Sequence, residues 1–125
     1  MSQPVVHFEI AGQDSQRLRD YYGELFGWSF DTTAPVVQAV SEQGQYGFVQ
    51  PAEGGGIPGG VGGGPDYPNR VLFYVGVDDV EAALTEAERL GGTRTMGPDH
   101  ARDGVVVVGH FLDPEGHLVG VAAPR

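Results

Sequence analysis

His7 and Glu9 stand two residues apart in the segment Val5-Val6-His7-Phe8-Glu9-Ile10. In a strand, residues two apart share a face, so this spacing sets an imidazole beside a carboxylate. An ordinary imidazole titrates near pH ~6.5 and can take or give a proton. A carboxylate next to it can orient it or stabilise its charged form. The pair is therefore the first candidate for acid-base chemistry, with a structural histidine and a solvent-facing strand glutamate as the plain alternatives. Tyr74 adds a hydroxyl and a flat ring. His110 lies in the apolar run Val105–Leu112, where alternation does not tell which way it faces. His117 follows a turn and is expected at the surface, and His100 sits in a polar stretch and is expected to be solvated.

The elements that must position these residues can be read from periodicity. Val6, Phe8 and Ile10 form the apolar face of the first strand, opposite His7 and Glu9. Asp14 can cap a following helix by accepting from its first-turn amides. Leu18, Tyr21, Tyr22 and Leu25 then fall at helical spacing and are expected to face the sheet. Gly27 supplies a left-handed stop, and Trp28 and Phe30 are expected to begin another strand. Trp28 and the Tyr21-Tyr22 pair read as core rather than as a ligand platform. Further strands are expected near Gln45–Gln50 and Ile57–Val61. The second of these lies inside the glycine-rich stretch Gly54–Gly64, which otherwise reads as a flexible linker.

The second half of the chain repeats the scheme. Aligning Asp14 with Asp79 puts His7 on Leu72 and Glu9 on Tyr74. Val71, Phe73 and Val75 are expected to face the core, with Leu72 and Tyr74 on the other side. Asp78 and Asp79 cap a helix whose stripe is Val80, Ala83, Leu84, Ala87 and Leu90, closed by Gly91-Gly92. Strands follow near Thr93–Met96, Val105–Leu112 and Leu118–Ala122. An internal repeat of this kind fixes architecture. The expected fold is α+β: two tandem β-α-β-β-β modules, about 4–64 and 69–124, in a single domain. They form one curved mixed sheet of about eight strands with the helices on its convex side. The concave side would then carry His7, Glu9, Leu72 and Tyr74, a setting suited to a small molecule.

Composition narrows the function classes. The chain has 125 residues, 17 acidic against 7 basic side chains, and a formal net charge of −10. A polyanion is repelled by such a surface, so no nucleic-acid partner is expected. There is no cysteine, hence neither a disulfide framework nor a thiolate metal site. No apolar run approaches the ~18 residues that span a bilayer, and Met1-Ser2-Gln3-Pro4 lacks the pattern of a signal peptide. A cytoplasmic location without membrane partners is expected. No nucleotide-binding loop, dinucleotide fingerprint or serine-nucleophile motif is present.

Four segments, taken in order, carry a resemblance: Val6-His7-Phe8-Glu9-Ile10, Tyr22…Leu25-Phe26-Gly27-Trp28, Val77-Asp78-Asp79-Val80 and Asp113-Pro114-Glu115-Gly116-His117. Together they resemble the vicinal oxygen chelate superfamily, which includes glyoxalase I, bleomycin-resistance proteins and extradiol dioxygenases. The resemblance covers essentially the whole chain and is strongest to small bacterial glyoxalase-like proteins. In metal-dependent members, ligands come from the first and last strands of each module. The first such position is His7, and its counterpart in the second module is Leu72. The last-strand carboxylate position falls on Gly120, and the first module has Gly59 and Gly60 near the equivalent place. Leucine and glycine side chains cannot ligate an ion. The resemblance therefore implies a pocket with no cofactor; a divalent metal, if held at all, would be held by His7, with Glu9 added because it lies two residues away on the same face.

Three readings follow. The first is a metal-independent protein that binds a small organic molecule, with His7 and Glu9 as acid-base residues and Leu72, Tyr74, His110 and Gly120 as ligand-binding residues. The second is a divalent-metal-dependent lyase, isomerase or dioxygenase. The third is a non-enzymatic interaction module. The resemblance also implies a homodimer.

Overall fold

The computed structural model describes residues 2–101 and 103–124. The chain divides into two compact units, one of His7–Val71 and the other of the residues up to Val6 with those from Leu72 onward. Among the described residues there are seven strands and two helices: β1 (Val5–Gly12), α1 (Ser15–Phe26), β2 (Gly47–Val49), β3 (Gly59–Gly63), β4 (Arg70–Gly76), α2 (Val80–Arg89), β5 (Thr93–His100), β6 (Val106–Leu112) and β7 (Leu118–Pro124).

In the unit His7–Val71 the strand order is β2-β3-β1. β1 and β3 run parallel, with Glu9 opposite Gly60, and β2 and β3 run antiparallel, with Phe48 opposite Gly60. The Asp14 carboxylate accepts from the Arg17 amide at 3.1 Å, which starts α1. Gly27 ends the helix in the left-handed region, at φ 72°, a conformation a β-carbon disfavours.

The glycine-rich stretch is a strand, and contact rather than flexibility explains it. All five residues of β3 are buried. A β-carbon on Gly59 would come within 2.1 Å of the Phe8 ring, and one on Gly60 within 1.9 Å of the Tyr46 ring. Only hydrogen fits between these strands and the aromatic rings that cover them.

In the other unit the order is β4-β7-β6-β5. β4 and β7 are parallel, and the remaining pairs are antiparallel. The Asp79 carboxylate accepts from Ala82 N at 3.0 Å and caps α2. Val77, Val80, Leu84, Val121 and Ala123 form the core, with Val75 and Phe111 packed against it. Leu84 is wholly buried, a contribution of about 2 kcal/mol.

Several expectations are corrected. The strand expected from Trp28 and Phe30 is reduced to an isolated bridge between Asp31 and Phe48, which leaves seven strands instead of eight. The Asp31 carboxylate accepts from the amide and hydroxyl of Thr33, and this local turn competes with strand pairing. On α1 the buried residues are Ser15 and Arg19, whereas Tyr21 and Leu25 are 60% and 55% exposed. The Arg19 guanidinium bonds the Gln45 carbonyl and Gln16, so a satisfied cation occupies the inner face. Leu90 is exposed beyond the end of α2. On β4 the faces are reversed in burial: Leu72 and Tyr74 are buried, while Val71 and Phe73 are exposed. Val75, one repeat further along, is the residue of that face which reaches the α2 core. β5 is longer than expected and takes in His100, which is exposed at its end.

Candidate functional site

Tyr46 organises the site in the unit His7–Val71. It precedes β2 by one residue, so Tyr46 and Phe48 alternate about Gly47 onto the face that carries Gly60 and Glu9. Its ring lies over Gly60 and Gly62 and is 2% exposed. Its hydroxyl donates to Glu9 Oε1 at 3.0 Å and lies 2.8 Å from His7 Nε2. His7, Tyr46 and Glu9 thus form a hydrogen-bond chain.

The Glu9 side chain is one of the largest fully buried groups. A buried carboxylate needs compensation, and Arg70 supplies it: Nε lies 3.6 Å from Glu9 Oε2. The same guanidinium donates to the Val40 carbonyl at 2.7 Å, which anchors it. The His7 ring is half-buried, and desolvation lowers its pKa from 6.5 to about 4. It is neutral at pH 7. The Phe48 ring lies 6.3 Å from it between centroids, whereas the ring of Phe8 covers Gly59 on the opposite face of β1.

In the other unit Tyr74, Gly120 and His110 form a row across β4, β7 and β6, with Tyr74 opposite Gly120 and Gly120 opposite His110. The Tyr74 hydroxyl is 2.7 Å from His110 Nε2, and both side chains are buried. The Tyr74 ring covers Gly120. Leu72 is buried on the same strand. His117 is exposed and bonds the Asp113 carboxylate at 3.1 Å, so it closes the Asp113–His117 turn.

Of the residues singled out from sequence, His7 and Glu9 come together through Tyr46, and Tyr74, Gly120 and His110 come together in their own unit. Tyr46 and Arg70 were not anticipated. The signal for Tyr46 was present: Gly60 and Gly62 repeat at period two, and a bare strand face needs a bulky side chain opposite it. No short-range pattern marks Arg70.

A zinc ion is held by four protein ligands in a closed site and by three in a catalytic one. Among the described residues no group of three or more His, Cys, Asp or Glu side chains is placed to hold one. The His7–Glu9 pair already coordinates a hydroxyl, with a guanidinium beside the carboxylate. This donor set does not fit a first-row ion. Among the described residues no helix is long and apolar enough to cross a membrane.

No curated protein sequence matches the chain. Solved structures of similar fold include Streptomyces coelicolor methylmalonyl-CoA epimerase in complex with 2-nitronate-propionyl-CoA. That match has 16% identity, covers 100% of this chain and 96% of that one, and has a TM-score of 0.66. The Mycobacterium tuberculosis methylmalonyl-CoA epimerase matches at 13% identity over 97% of this chain and 87% of that one, with a TM-score of 0.61. A hypothetical protein from Bacillus halodurans C-125 matches at 13% identity over 100% and 96%, with a TM-score of 0.64. At these identities the likeness is one of fold. The model of the glyoxalase-like domain matches residues 7–122, nearly the whole chain, and the protein belongs to that family.

Proposed function

We propose that the protein binds a small organic molecule beside His7 and does so without a metal ion. The observation that carries this reading is the Tyr46 hydroxyl between His7 Nε2 and Glu9 Oε1. It occupies His7, the one ligand position of the family pattern that this chain fills, together with its neighbour Glu9. His7 then meets a ligand as a neutral imidazole. Glu9, tied to Tyr46 and Arg70, holds the assembly in place.

Proton transfer at the same site is the second reading, favoured by the continuity of the His7–Tyr46–Glu9 chain. Magnitudes favour binding over catalysis. A general base works best with a pKa near the operating pH, and His7 at about 4 is a weak one. The similar epimerases make methylmalonyl-CoA and propionyl-CoA the first probes. Calorimetric titration with each, and with short-chain and aromatic carboxylic acids, tests the binding reading. Saturable binding that survives chelator and weakens about tenfold or more in His7→Ala supports it. Binding that requires added metal contradicts it. Loss of the α-proton signal of methylmalonyl-CoA in deuterated water would select the second reading.

A further inference from the structure

We propose that a second ligand site lies in the unit His7–Val71, distinct from the His7 chain, and that it takes a flat organic cation. An open cleft of about 700 Å³ is lined by Phe8, Phe26, Trp28, Phe30 and Phe48, with Asp31 at its rim. That volume suits a drug-sized molecule. Trp28 is its centre: its ring lies 5.2 Å from Phe8, 5.2 Å from Phe26 and 6.5 Å from Phe30. Phe26 is 57% exposed and the other rings are half-buried, so aromatic faces remain open to a ligand.

Charge selects the ligand class. Asp31 is the only charged residue among the described residues lining the cleft. Its Oδ1 accepts from the amide and hydroxyl of Thr33 at 2.9 and 2.6 Å, which orients the carboxylate. Those bonds also hold its pKa below the usual value, so the charge persists under mildly acidic conditions. Ring faces are negative and attract cations, and the chain as a whole carries −10. An anion would find no lysine, arginine or histidine among the described lining residues. A planar ring with an ammonium or aromatic nitrogen cation matches both features.

The protein has a single tryptophan, so its one indole N–H resonance reports on this cleft alone. The experiment is titration of the ¹⁵N-labelled protein with (naphthylmethyl)trimethylammonium, with 1-naphthoate as the anionic control. The expected result is a saturable shift of the indole signal with the cation and none with naphthoate. Asp31→Asn should weaken the cation about fivefold, the scale of one exposed charge pair, and Phe26→Ala by a similar factor. Both residues are exposed, and an unchanged amide spectrum confirms that each variant is folded. The proposal is overturned by an unsaturable or absent shift, or by equal binding of naphthoate. It is also overturned by an Asp31→Asn variant that binds the cation as tightly, or by an indole shift that follows protein concentration instead of ligand, which would make the occupant a second copy. None of these outcomes bears on the His7 reading.

Discussion

The ring of Tyr74 lies over Gly120, so that a β-carbon on Gly120 would come within 2.4 Å of it. The place where the family resemblance puts a carboxylate is filled by a buried aromatic ring. Gly120→Glu is therefore expected to destabilise the fold by about 3 kcal/mol or more, since it forces overpacking and buries a charge. Urea denaturation checks this. A variant as stable as the parent that gains tight stoichiometric metal would contradict it.

The Tyr46 hydroxyl serves His7 and Glu9 at once. Tyr46→Phe keeps the ring over Gly60 and Gly62 but removes the bridge from a buried carboxylate. The expected cost is about 1–3 kcal/mol. The same change should remove one hydrogen bond from His7 Nε2. Imidazole ¹⁵N shifts read this directly: the Nε2 signal should move in the variant, and an unchanged signal would show that the bond is not formed.

Arg70 lies 3.6 Å from Glu9 in a nearly solvent-free setting. Arg70→Gln alone leaves a buried carboxylate without its cation and is expected to cost about 3 kcal/mol. Adding Glu9→Gln should recover a good part of that loss. A double-mutant cycle that returned simple additivity would show that the two groups do not compensate each other.

Burial lowers the pKa of His7 from 6.5 to about 4, and the sign of the stability effect follows. Above pH 6.5 neither the folded nor the unfolded chain protonates His7, and its neutral burial costs nothing. As the pH falls from 6.5 to about 4, the unfolded chain takes up a proton that the folded chain refuses. Stability is lost across that window, by up to about 3 kcal/mol, and the loss levels off below it. The difference between parent and His7→Gln in denaturation midpoints, measured from pH 7.5 to 4, isolates the effect. A flat difference would contradict it.

Much of the fold was legible because its signals are local. Asp14, Asp79 and Gly27 act at helix ends as their chemistry requires, and the aligned copies both form a strand followed by a helix. Face assignments were harder. Val71 and Phe73 are apolar yet exposed, because α2 covers β4 only as far as Val75. Val105–Leu112 is apolar on both faces, so only the pairing of His110 with Gly120 places its side chain. His7 and Glu9 could be found from spacing alone. Tyr46 and Arg70 reach them from distant parts of the chain, and periodicity within one element carries no trace of such contacts. The missing eighth strand reflects competition at Asp31, where a side-chain turn replaced a ladder.

Equilibrium dialysis of the chelated protein against Ni²⁺, Zn²⁺, Mn²⁺ and Fe²⁺, followed by metal analysis of parent and His7→Ala, tests the central claim most directly. The account predicts no retained stoichiometric ion in the parent, no difference between the two proteins, and small-molecule binding unchanged by chelator. One tightly retained ion per chain, lost in His7→Ala, would contradict it.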